Sequence, residues 1–143
     1  MHPDSWKQIV HFKPGEFDDP DFPRSGLHIN ALLVYLLDKL RITIGCPIIT
    51  HWKVGGCVDM KGTHGHTRNS YHNFDWGAKA CDFHIVTNMG LREQYNYVCR
   101  AGFGGIVVYP WWNNPGFHVD VRPIHLTNHM FSPAFHTYNK FFP

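Results

Sequence analysis

The chain has 143 residues, 43% of them hydrophobic, 15% aromatic and 17% charged, with a net charge of +2 when histidine is neutral. That length suits one domain over residues 1–143 burying about two thirds of its unfolded surface, and the composition excludes a disordered chain. Charges of both signs are interspersed without a Lys/Arg run, and no window holds the roughly 18 apolar residues that span a bilayer, so neither nucleic acid nor membrane is an expected partner. A monomer is expected. The start, MHPDSWKQIV, lacks the apolar stretch of an export signal, and synthesis is expected to end in the cytoplasm.

In chain order, residues 13–26 (KPGEFDDPDFPRSG) read as an ordered loop rich in Pro, Gly and Asp. A helix follows. Asn30 is its N-cap, Leu32, Leu33, Leu36, Leu37, Leu40 and Ile44 recur at helical spacing as a core stripe, and Gly45 and Pro47 stop it. Residues 48–52 (IITHW) read as a short strand, and the polar, Gly-rich stretch 55–70 as a long loop of the kind that often carries function. In KACDFHIV (79–86), Cys81, Phe83 and Ile85 alternate with Ala80, Asp82 and His84, the pattern of a strand with two unlike faces. A second helix spans about 88–101 on Leu91, Tyr95 and Val98, ending before Gly102. GIVVY (105–109) and FHVDVR (117–122) then read as strands joined by the turn PWWNNPG. The sum is an α+β fold, a small antiparallel sheet with flanking helices.

Twelve histidines stand out, because histidine is the commonest metal ligand at neutral pH. A hydrolytic zinc site takes three His or Asp/Glu ligands and leaves a fourth position for water. Period-two geometry puts Asp82 and His84 on one face of their strand, and His118, Asp120 and Arg122 on one face of theirs. If both strands join one sheet, Asp82 and His118 meet on its polar face, and His72, in the turn before, closes a triangle.

The same residues carry motifs. Ser70-Tyr71-His72 precedes Ala80-Cys81-Asp82; later come Gly104-Gly105-Ile106-Val107-Val108-Tyr109-Pro110 and Phe117-His118-Val119-Asp120-Val121. HFKPGEF (11–17), the Leu-rich helix and Pro47-Ile48-Ile49-Thr50 stand in front. In these stretches, over residues 11–122, the chain resembles the zinc D-alanyl-D-alanine carboxypeptidase family of peptidoglycan peptidases, which includes many phage endolysins. That resemblance implies a hedgehog/D-Ala-D-Ala peptidase-like fold, zinc (Zn2+) as cofactor and His72, Asp82 and His118 as its ligands. It also implies a stem-peptide substrate, cut at a terminal D-Ala or within the L-Ala to D-Glu linkage, by a phage or prophage lysin acting on the cell wall after release. The chain departs from the pattern in three places. His72 and Asp82 are ten positions apart where the family has seven, with Ala78 in place of a glycine. Lys53 stands where the family has a substrate-facing arginine, and Pro115 and Gly116 occupy the place of the usual general base. Lys53 is expected to pair with a substrate carboxylate or to help hold the oxyanion. Asp120 has two expected roles: it takes a proton from the attacking water, or it orients the His118 imidazole. The rival reading from another class is a zinc-stabilised phage structural or wall-binding module without turnover. A zinc hydrolase of other peptides or amides is a third.

Other residues draw blander expectations. His64 and His66, in a Gly-flanked loop, are expected not to ligate metal, and His84, His125, His129 and His136 are expected to be structural. Cys46, Cys57, Cys81 and Cys99 form no Cys-x-x-Cys pair and read as small hydrophobes, with one bridge possible. Trp111 and Trp112 line a cleft or cap the core, and the aromatic stretch from Phe131 to Phe142 packs back on the domain.

Overall fold

The computed structural model describes residues 1–130. The expectations for His136 and for the stretch from Phe131 to Phe142 lie outside them. Among the described residues five strands form one sheet: β1 (Ile48–Thr50), β2 (Ala80–Ile85), β3 (Gly105–Tyr109), β4 (Gly116–Asp120) and β5 (Asn128–Met130), in the order β1-β2-β4-β3-β5. β1, β2, β4 and β3 pair antiparallel, as expected, but β5 joins β3 in parallel, so the sheet is mixed. A strand of three residues, NHM, carries no alternating pattern that sequence could reveal. Among the described residues two α-helices accompany the sheet, α1 (Ala31–Ile44) and α2 (Leu91–Ala101), which pack on each other. The architecture is α+β.

Both helices begin and end for local reasons. Asn30 Oδ1 accepts from the Leu33 amide at 3.1 Å, and Gly45 closes α1 in the left-handed region at φ 70°. Leu33, Val34, Leu37, Leu40 and Ile44 are buried, but Leu32 is 56% exposed and leaves the expected stripe. One residue is about 100° of helix, so Leu32 falls outside the arc that faces the sheet. Asp38, buried on α1, accepts from the Val10 and His11 amides at 3.1 and 2.9 Å and ties the N-terminal segment to the helix.

The core lies on one face of the sheet. Cys81, Phe83 and Ile85 of β2, Phe117 and Val119 of β4, and Ile106 and Val108 of β3 join α1 and Val98 of α2 in one buried cluster. Phe83 and Phe117 are cross-strand partners with ring centroids 5.6 Å apart, and burying each contributes about 1.5–3 kcal/mol. The same alternation turns Asp82, His84 and His118 to the opposite face. Register does the rest, because Asp82 pairs directly with His118 and Ala80 with Asp120.

Between β1 and β2 the chain forms the long loop expected from its composition. It returns through a short 3-10 turn (Phe74–Trp76), with Gly77 at φ 96° and Ala78 at φ 47°. Ala78 there takes a positive φ where a glycine is more at ease.

Candidate metal centre

His72, Asp82 and His118 converge. His72 Nε2 lies 3.1 Å from His118 Nδ1 and 3.2 Å from Asp82 Oδ1, and His118 Nδ1 lies 3.0 Å from the same carboxylate oxygen. Three donor atoms at the corners of such a triangle are spaced as ligands of one ion with bonds of about 2 Å. The outer nitrogen of each imidazole is taken. His72 Nδ1 is 3.0 Å from the Cys57 carbonyl, which can only accept, so Nδ1 carries the proton and Nε2 presents a lone pair. His118 Nε2 donates to Asp120 Oδ2 at 2.9 Å and presents Nδ1. Acceptors behind ligand imidazoles fix tautomer and ring direction, the arrangement that metal centres use.

The charges are matched as well. Burial works against ionisation of Asp82, yet His72 and His118 outweigh it and hold the carboxyl far below the usual range. Burial also opposes the imidazolium of His118, but hydrogen bonds to Asp120 and Asp82 prevail and raise it to about 9. A cation between these groups would displace that proton, so metal uptake releases protons.

Asp120 stands behind His118. Arg122 donates to it twice, from Nε at 2.8 Å and Nη2 at 2.7 Å, and the Arg122 amide adds a third bond. Its carboxylate is fully buried and both oxygens are engaged. Of its two expected roles the geometry carries ring orientation; proton acceptance from a water in the cleft has no free oxygen to serve it. Gly105, facing Asp120 across β3 and β4, makes room for this pair, because a Cβ there would fall on both carboxylate oxygens and on Arg122 Nε.

Lys53 is not brought to the centre. It is exposed on a 3-10 turn (Trp52–Val54), 5.8 Å over the Trp52 ring, and lines an adjoining groove with Glu16, Ile49 and Thr50. Beside the triangle is instead a cleft of about 490 Å³, lined by His51, His64, His66, Asp82, His84, Trp112 and two asparagines, Asn113 and Asn114, among others. His84 is therefore a cleft residue. It is 2.8 Å from His51 Nε2, and burial lowers the pKa of both imidazoles. Period-two spacing from Asp82 was the available signal for His84; nothing local marked His51. Trp112 stacks on Tyr109 at 4.3 Å and 2° and forms a cleft wall, while Trp111 meets the Tyr109 edge and is 40% exposed.

The loop histidines are also nearer than expected. Donor atoms of His66, His72 and Asp82 all lie within 4.8 Å of one another, a second triad able to hold a metal. His66 and His72, however, stack with centroids 4.1 Å apart and planes 7° from parallel. An imidazole binds metal in its own ring plane, and two separate parallel planes cannot contain one ion. The ring geometry selects His118 over His66 as partner of His72 and Asp82. Asp19, Asp59 and His64 form another group of suitable donors. There the carboxylates already accept backbone amides of Asp21, Met60, Thr63 and His64, and the group knots the 59–66 loop to residues 19–21.

Of the remaining histidines, His129 reaches the Phe103 carbonyl at 2.9 Å and is structural, and His125 is exposed. The four cysteines are free thiols, with Cys57 and Cys81 buried and their sulfurs 3.5 Å apart.

Fold and site together define an α+β domain with His/Asp groups able to hold a metal ion. Compared with known proteins, the chain matches no family model, no curated protein and no solved structure. Among the described residues no helix is long and apolar enough to cross a membrane.

Proposed function

We propose that the chain is a zinc-dependent peptidase of hedgehog/D-Ala-D-Ala peptidase-like fold that hydrolyses peptidoglycan stem peptides, as a phage or prophage lysin. The observation that carries the reading is the triangle of His72 Nε2, Asp82 Oδ1 and His118 Nδ1, closed to 3.0–3.2 Å with both outer ring nitrogens tied back. Two neutral imidazoles and one carboxylate are a donor set that suits zinc, and three protein ligands leave a position for chemistry. Zinc held there would supply Lewis acidity toward a scissile carbonyl and an acidified water. The chain's own residues do the rest. Asp120 holds the His118 ring, Arg122 neutralises Asp120, and the cleft walled by Trp112, Asn113 and Asn114 receives an extended peptide beside Asp82. His51 and His84, one hydrogen bond apart in that cleft, are the groups able to exchange protons with a bound substrate.

A second reading has a specific observation in its favour. Asp120 has no free oxygen and Lys53 lies in another groove, so neither expected catalytic residue faces the cleft. A zinc-stabilised wall-binding or phage structural module fits that arrangement. The experiment is clearing of a cell-wall suspension by the zinc-loaded chain. The peptidase reading expects release of D-Ala or of new amino groups from the walls, with clearing where the cut falls within the L-Ala to D-Glu linkage, all lost with chelator and in His118→Ala. Zinc binding without any release of peptide or amino groups from the walls sinks it and leaves the module.

A further inference from the structure

His66 sits in the long loop, outside the ligand triangle, yet it is built into it. Its ring covers one face of His72, and the two planes are 7° apart at a centroid separation of 4.1 Å. Only 15% of the side chain is exposed. Its Nδ1 lies 2.9 Å from Asp59 Oδ2; a carboxylate accepts, so Nδ1 donates and the ring is anchored at one edge. Asp59 is fully buried, and its other bonds run back along the same loop. Thr63 donates to Oδ1 at 3.1 Å and His64 to Oδ2 at 3.2 Å. Gly62 and Gly65, at φ 66° and 79°, supply the left-handed turns that let five residues double back so tightly.

The circuit closes on the ligand. The Asp59 amide donates to the His72 carbonyl at 3.0 Å, and the Cys57 carbonyl takes the proton of His72 Nδ1 at 3.0 Å. The segment 57–66 thus holds His72 by its backbone, by its outer nitrogen and by one ring face. His72 needs such help more than its two companions do. Asp82 and His118 stand on paired strands, whereas His72 leaves a turn held by a single isolated bridge between Asn73 and Asp59.

We propose that His66 is a positioning residue of the metal centre: braced by Asp59, it packs flat on His72 and fixes the plane in which Nε2 meets the ion, without ligating it. The inference rests on the metal-centre reading given above. Stacking, unlike ligation, asks for a flat ring and no nitrogen lone pair, so chemistry can separate the roles.

The test is metal affinity and the visible absorption of the cobalt-substituted chain, measured for wild type, His66→Ala, His66→Phe and His72→Ala, with thermal melts of each metal-free chain to show that it folds. His66→Ala should weaken zinc about 10–100-fold and alter the cobalt bands, the usual cost of losing a group that orients a ligand. His66→Phe keeps the flat ring but not the Nδ1 donor to Asp59, so it should recover part of that loss and move the bands back toward wild type, and His72→Ala should bind far more weakly than either. An alanine variant that binds like wild type with unchanged bands overturns the proposal, as does a phenylalanine variant as weak as His72→Ala. Should wild type itself bind neither zinc nor cobalt, the metal-centre reading falls and takes this inference with it.

Discussion

Asp82 and His118 reach the centre from neighbouring strands, while His72 and His66 reach it from a loop, and the two sides are held by different means. On the sheet side, backbone pairing of β2 with β4 sets the separation of Asp82 and His118, and the apolar core beneath them enforces the register. A slip by one residue would bury both side chains and expose Phe83 and Phe117. On the loop side the backbone contributes one isolated bridge, Asp59 with Asn73, and polar side chains do the rest: Asp59 on His66, and Asp19 on His64 and Met60. A site resting on both supports resists distortion where it meets the core and can be adjusted where it meets the loop.

That contrast can be broken from the sheet side first. Arg122→Met removes two guanidinium bonds from the fully buried Asp120 carboxylate, which should cost about 3 kcal/mol, read as a lower urea midpoint at constant slope. An unchanged midpoint would mean that Asp120 finds other partners and the sheet side is less committed than its geometry indicates. Gly105→Ala comes next. Its methyl would displace the Asp120–Arg122 pair, and overpacking of this kind should cost about 1–3 kcal/mol and loosen His118, with weaker zinc binding as the second readout. The smallest effect belongs to the adjoining groove. Lys53→Met should leave zinc affinity unaltered and stability within about 0.5 kcal/mol, because the side chain is exposed and lies apart from the triangle. A marked loss of zinc in that variant would place Lys53 in the centre after all.

The sequence by itself carried what periodicity and caps determine. Alternation in 80–85 and 117–121 assigned Asp82 and His118 to polar strand faces, and Asn30 and Gly45 marked the ends of α1, because these signals act within a few residues of their cause. Spacing showed that Asp82 and His118 could meet with His72 close by, but it left His84 and Asp120 on the same faces, and the choice of His72, Asp82 and His118 came from the family resemblance. Tertiary structure alone decided the rest. Whether Asp120 serves the water or the ring depended on Arg122 folding back upon it, and whether Lys53 reaches the cleft depended on the direction of one short turn. The parallel pairing of β5 and the meeting of His51 with His84 join segments more than 20 residues apart. The stack of His66 on His72 is of the same kind, for although only six positions separate them, it is Asp59 and two glycines in left-handed turns that fold the loop onto His72. Spacing along a chain says which face a side chain takes, but contacts between segments depend on how the core brings those faces together.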